Sequence, residues 1–418
     1  MKALRFLSLL FFVLQVYFVI WGNQVFDMYT NPTGLFLSAA GLTICFFISI
    51  RSTDYSSFSA YKVNKTFRFG AMAFVLICFV CCLPDIRSLF SRYLIPDVIQ
   101  HSDVLPLIIK QYEYFIHGKM PYQFIELSTH TAYPAYMPLH WLPVGISDSF
   151  GKDPRWGGIL LLLLSSLVFA FLSVRKQKSL PINILLTLLP GAVFYIFVLY
   201  ASSDIAITYE TVIAAYYFFL AIALMQKNIT LVVVGIVLCL LSRYTLIFWL
   251  PLFFLLYLFN NGMRKTAIYT GIIITIVCVL FVFPFLLRNP SLIIDSLAYH
   301  NFAAIADWSD HKYTFGWGVY FGPQIDHLVD GTPEHKVFAA RIIQASTMLL
   351  LLFTGLFYYA RNKHRVNFYE VSLGMLYAVI VGFYMFGPFA FRYYMMAPIY
   401  ISIVLLARIL LSEKRVSK

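Results

Sequence analysis

The chain has 418 residues, of which 61% are apolar, 18% aromatic and only 12% charged, with a net charge of +12. Soluble domains carry roughly 25% charged residues, so this composition excludes a soluble protein of this length. Apolar runs close to 20 residues long recur along the chain and match the ~30 Å hydrocarbon layer, whereas a transmembrane β-barrel would show shorter, alternating segments.

The pattern predicts an all-α polytopic membrane protein, one integral unit over residues 1–418 with about 12 transmembrane helices. The spans fall near 6–22, 34–50, 69–84, 157–174, 181–200, 209–226, 229–242, 245–260, 266–287, 341–360, 370–388 and 394–411. The first resembles a signal peptide but lacks a small-x-small cleavage site, so it reads as an uncleaved span. The spans at 229–242 and 245–260 are short and flank Ser242-Arg243-Tyr244, as a kinked or re-entrant pair would. All six cysteines lie in apolar runs and read as small hydrophobes.

Lys and Arg placement orients the chain. With the N-terminus inside, 19 of the 31 basic residues and three of the 19 acids fall on the inner side. That asymmetry follows the positive-inside rule and puts both termini in the cytoplasm, with the protein in the cell membrane. The basic excess is then a topology signal, and no nucleic-acid partner is implied.

Two long segments, 85–156 and 288–340, face outward. Residues 105–116 and 291–306 carry apolar positions at helical spacing and suit helices lying in the interface. The first segment holds Asp103, Glu113 and Glu126 with His101, His117, His130 and His140, among Tyr and Pro. Polar groups in so apolar a chain belong where water and substrate reach. Asp103 precedes the interface helix at headgroup level, where desolvation raises a carboxyl's pKa and favours a proton acceptor. The competing reading is a plain helix N-cap. Gly118 stops that helix and Pro121 prevents its return, while Pro134, Pro138 and Pro143 hold an extended path toward the membrane. The histidines lack the i, i+4 pairing of a zinc helix, and no metal site is expected.

Arg243 and Arg392 lie near outer helix ends. An arginine within a membrane region is costly and usually functional, and its fork can chelate phosphate oxygens; snorkelling is the alternative. Glu210, with Asp204 before it, opens a span and either points into the bundle toward a sugar or answers the helix dipole. The late outer segment gathers Trp308, Tyr313, Phe315, Trp317, Tyr320 and Phe321 around glycines, as sugar platforms or as interfacial anchors. Tyr122, Glu210, Tyr244, Trp317 and Tyr393 are the candidate substrate contacts. No P-loop and no G-x-G-x-x-G occurs, so no nucleotide or other cofactor is expected.

One tract reaches further. Asp103, then Tyr112 and Phe115, then Gly118-Lys119-Met120-Pro121-Tyr122, then Tyr133-Pro134-Ala135-Tyr136-Met137-Pro138-Leu139 resembles the early outer loop of GT-C superfamily membrane glycosyltransferases. More narrowly it resembles glycosyltransferase family 87, the polyprenyl-phosphate-dependent mannosyltransferase-like enzymes. The likeness is specific over about 40 residues. Beyond them it rests on layout: the short helices around Ser242-Arg243-Tyr244, the late outer loop, and Arg392-Tyr393-Tyr394 before the last span. In those relatives the catalytic loop usually follows the first span; here it follows the third. The resemblance implies Asp103 as the base, a polyprenyl-phosphate monosaccharide as donor, a glycolipid or glycan as acceptor, and no essential metal. The competing classes are a lipid-linked oligosaccharide flippase or transporter, and a polysaccharide polymerase or ligase. Transporters tend toward repeated halves and midplane charges, neither of which is evident.

Overall fold

The computed structural model describes residues 2–54, 65–173, 180–310, 315 and 318–414. These form an all-α membrane protein. Among the described residues nine helices are long and apolar enough to cross a membrane, and Glu210–Gln226 and Ile229–Leu240 are shorter apolar helices. Among the described residues strand structure is limited to two short ladders, Thr53–Asp54 with Glu413–Lys414 and Ile125–Glu126 with Thr131–Ala132.

Two helices run well past their expected ends. The one expected over 69–84 continues through a break at Cys82 to Arg92. The one expected over 341–360 begins at Pro333, with proline in the first turn. Both extensions are polar, carrying Asp85, Arg87 and Arg92 in one and Glu334, His335 and Lys336 in the other. A helix that emerges from hydrocarbon no longer needs apolar residues, so hydropathy does not register its continuation.

The centre of the bundle is Glu210–Gln226, buried on every face, with the spans Phe368–Met385 and Arg392–Leu411, which are 89% and 94% buried. A helix apolar all round belongs inside a bundle. Leu250–Leu286 and Pro333–Asn362, each 17% buried, are peripheral by the same measure. Small residues let the central helices close up. A Cβ at Gly158 would meet Thr211 Oγ1 at 2.2 Å, and one at Gly235 would meet the Leu220 backbone at 3.0 Å.

Leu250–Val277 is two helices. Gly262 has φ 79°, outside helical geometry. The Tyr257 and Tyr269 ring centroids lie 5.8 Å apart, whereas twelve residues of straight helix would separate them by about 18 Å. The chain therefore doubles back at Gly262.

Polar clusters mark the two ends of the bundle. At one end Arg408 Nε donates to Glu370 Oε1 at 2.7 Å and its guanidinium lies 3.4 Å from Thr53 Oγ1. Arg5 donates to the Ser412 carbonyl nearby. At the other end lie Arg243 with Glu210 and Arg392 with Asp204. Arg392 and Arg408 belong to the same span, roughly 24 Å apart along its axis at helical rise.

Candidate functional site

The helix Val104–Ile116 begins directly after Asp103. Asp103 holds the N-cap position, yet its carboxylate makes no capping bond; the Val104 N–H goes to Ser102 Oγ at 3.2 Å. The bland capping role is thus filled by a neighbour, and the Asp103 side chain is left to face elsewhere. It faces His130, whose Nε2 lies 3.6 Å from Asp103 Oδ2, an ion-pair separation too long for a hydrogen bond. Thr129 Oγ1 meets His130 Nδ1 at 2.9 Å from the other side. The Asp103 side chain keeps 34% of its surface accessible. Burial pushes its carboxyl above the ordinary carboxylate range, and His130 partly offsets that rise. A desolvated yet reachable carboxylate has the properties of a proton acceptor.

Local sequence explains how His130 reaches this position. Gly118 takes φ 70°, and the Gly118 and Lys119 N–H groups bond back to the Phe115 and Tyr114 carbonyls at 3.0 and 2.8 Å. This pairing is a Schellman stop. The chain then turns into the hairpin of Ile125–Glu126 with Thr131–Ala132, whose tip carries His130. Gly118→Ala is expected to cost about 1–2 kcal/mol, from left-handed backbone alone, because a Cβ there meets nothing within 4 Å. Thermal melting of the purified protein checks it, and an unchanged midpoint would count against this stop.

The Tyr122 side chain is buried, and its hydroxyl donates to the Tyr136 carbonyl at 3.1 Å. Gln111 Nε2 donates to the same carbonyl at 3.3 Å, and Asn289 Nδ2 donates to the Tyr122 carbonyl at 3.1 Å. Tyr122, a candidate substrate contact, is thereby a positioning residue for Tyr136. The Leu139 N–H donates to the Leu241 carbonyl at 2.7 Å and Tyr216 donates to the Leu139 carbonyl at 3.1 Å. The segment 85–156 is thus fastened to the apolar helices just before Arg243.

Arg243 is extended, at the break between Ile229–Leu240 and the short helical turn Tyr244–Phe248. Its guanidinium donates to both Glu210 carboxylate oxygens, one at 2.9 Å, and to Tyr384 Oη at 3.2 Å. It also lies over the Tyr394 ring, 4.7 Å from the centroid. Glu210 is 2% exposed at the start of its helix, so both sequence readings apply: it opens the helix and points inward. Arg392 is paired likewise, with Asp204 at 2.7 and 3.1 Å and Ser203 Oγ at 3.4 Å. Neither arginine snorkels. Arg392 is buried, the Arg243 side chain keeps 10% of its surface accessible, and each is matched by a carboxylate, where the sequence suggested cations open to phosphate.

Tyr136 joins the two halves. It is partly buried, and its phenol is held well above its ordinary range by burial first, then by Asp103, while Arg243 acts in the opposite sense. Asp103 and Arg243 are therefore within electrostatic reach of one side chain. Tyr299 also feels the Asp103 charge. Tyr393 is mostly buried, stacked on Phe391 with centroids 5.1 Å apart and planes at 5°, and Asp103 and Glu210 both act on it. Tyr244 is 36% exposed, with His300 and Phe383 rings at 6.4 and 6.2 Å.

The late aromatic segment divides. Trp308, Phe315 and Tyr320 are buried within the protein, so these three are neither open sugar platforms nor rings lying among headgroups. Trp308 donates to the Pro388 carbonyl, and Asn31 Nδ2 donates to the Gly318 carbonyl at 2.6 Å. Tyr313 and Trp317, the latter a candidate substrate contact, lie outside the described residues.

Sequence reading did not single out His130, Tyr136, Tyr384, Tyr394 or His300 for this site. His130 and Tyr136 stood in the singled-out tract without assigned roles. Tyr384 ends an apolar span, and nothing in its local pattern sets it apart from membrane aromatics. No protein-family model, curated protein or solved structure matches the chain.

Proposed function

We propose that this protein is a membrane glycosyltransferase of GT-C type that moves a monosaccharide from a polyprenyl-phosphate donor to a glycolipid or glycan acceptor. The observation that carries this reading is the Asp103 carboxylate, free of capping duty and partly accessible, which acts on Tyr136 as the Arg243 guanidinium does from its pair with Glu210. In the proposed step Asp103 takes the proton of an acceptor hydroxyl. That oxygen bonds to the anomeric carbon from the face opposite the leaving group, the bond from that carbon to the phosphate oxygen breaks, and polyprenyl phosphate departs with the electron pair. The configuration inverts. Fixed positive charge where negative charge grows is the contribution that usually dominates such catalysis.

The same reading takes the eleven apolar helices, with the reversal at Gly262 dividing one of them, as twelve crossings. Both termini are cytoplasmic, which puts Arg5 and Arg408 on the inner side and Asp103 and Arg243 on the outer.

Washed membranes given radiolabelled polyprenyl-phosphate hexose test the reading, with their own lipids and glycans as acceptors. Single-sugar transfer supports it. Movement of lipid-linked sugar across the bilayer without a new bond would indicate a flippase, and transfer of preassembled chains a polymerase or ligase; either overturns the proposal.

A pH profile tests the base. The carboxylate form is active, so activity rises with pH through the Asp103 pKa. His130 holds that pKa down, while Tyr136 and Tyr299 are the phenols facing it. His130→Gln is expected to move the acidic limb of the profile to higher pH. A limb that stays in place or moves lower contradicts the contact.

A further inference from the structure

The two arginines proposed from sequence are each neutralised by a carboxylate, so neither carries surplus charge for a phosphate. A third arginine does. Arg341 lies two turns into the helix Pro333–Asn362 and is partly buried, beside the buried Val337 and Ala340. Among the described residues it has no carboxylate partner. Its direction follows from helix geometry: Gln344 and Met348, at i+3 and i+7, share its face. Gln344 Nε2 donates to the Phe383 carbonyl at 2.7 Å, and Met348 is buried. That face of the helix therefore looks onto the end of Phe368–Met385, where Tyr384 receives Arg243.

Tyr244 and His300 feel both arginines. Their rings lie 6.4 Å apart, and His300 also contacts Phe389 at 5.6 Å. Arg341 and Arg243 both act electrostatically on each of them. Burial, then the two guanidiniums, hold the His300 imidazole down to about 4. It is neutral at physiological pH and offers an N–H without adding charge.

We infer that Arg341, with His300 and Tyr244, forms the seat for the phosphate of the lipid donor, and that Arg243, clamped by Glu210 and Tyr384, is its fixed wall. This rests on the transferase reading. It names the donor's anion as a singly charged phosphodiester, because one uncompensated guanidinium matches one negative charge. It also moves the principal phosphate contact away from Arg392, whose fork is closed on Asp204.

The test is direct binding of farnesyl methyl phosphate, a short lipid phosphodiester with one negative charge, to the full-length protein in detergent micelles. Wild type and Asp103→Asn are expected to bind alike. Arg341→Gln should weaken binding by tenfold or more, as loss of a charge-assisted hydrogen bond predicts, with an unchanged melting midpoint. Arg341→Lys should recover part of the loss, since it restores charge without the fork. No binding by wild type, or undiminished binding by folded Arg341→Gln, overturns the inference. Should Arg341→Gln abolish binding while wild type transfers no sugar, the seat stands and the transferase reading fails. Should wild type transfer sugar and Arg341→Gln bind normally, the reading stands and the seat fails.

Discussion

Asp103→Asn is expected to leave the protein folded and inserted while lowering sugar transfer by about 10²–10⁴-fold, the usual contribution of a positioned general base. The structural half of this expectation comes from the helix start. A capping aspartate would take stability with it when changed, typically about 1 kcal/mol. Asp103 makes no capping bond, and Ser102 serves the Val104 N–H instead. The amide is close in size and keeps a polar group beside His130, so no cavity opens and no partner is stranded. Removing the charge ends proton uptake and nothing else that the geometry reveals. Activity assays beside melting curves separate the two. Equal loss of stability and activity would make Asp103 a structural residue, and wild-type turnover would end its role as base.

The second large effect concerns stability. Arg243→Met strands the Glu210 carboxylate, which is 2% exposed and has Arg243 as its ion-pair partner. Breaking a buried pair from one side costs about 3–5 kcal/mol, because the remaining charge stays desolvated and uncompensated. Removing both charges is far milder, since a well-filled apolar pair is often neutral or better. Arg243→Met with Glu210→Leu should therefore recover most of the stability lost by Arg243→Met alone. It should not recover transfer, because Arg243 is the fixed wall of the proposed phosphate seat. A double variant as unstable as the single one would mean that the pair is not coupled as the geometry indicates. Restored transfer would remove Arg243 from the site.

Much of the scaffold was legible in the chain. Apolar runs of membrane length located the helices to within a few residues wherever the helix ended near the hydrocarbon boundary, as at Arg155–Ser173 and Leu180–Tyr200. They missed the polar extensions to Arg92 and from Pro333, since hydropathy reports immersion rather than helicity. Gly118 as a helix stop was readable because a left-handed position favours glycine, and it takes φ 70°. The short helices about Ser242-Arg243-Tyr244 were readable as a break, which the extended Arg243 backbone makes.

The site was legible only in part. Asp103, Glu210 and Arg243 stood out because charge is expensive in such a chain. Their pairing did not, because Glu210 and Arg243 are 33 residues apart and Asp204 and Arg392 are 188 apart. Periodicity carries no information about contacts at that range. Tyr122 illustrates the same limit. Its place in a distinctive tract suggested substrate, while its hydroxyl serves a neighbouring carbonyl. Arg341 was hidden at the edge of an apolar span and becomes visible only once the other arginines are seen to be matched.

The most direct measurement uses purified protein in liposomes supplied with a radiolabelled polyprenyl-phosphate hexose and a lipid extract of the source membrane as acceptor. The account predicts that label leaves the donor for a new, inverted glycosidic bond and that polyprenyl phosphate appears in equal amount, with Asp103→Asn producing neither. Label that crosses the bilayer while still joined to its original phosphate, or equal product from wild type and Asp103→Asn, would contradict it.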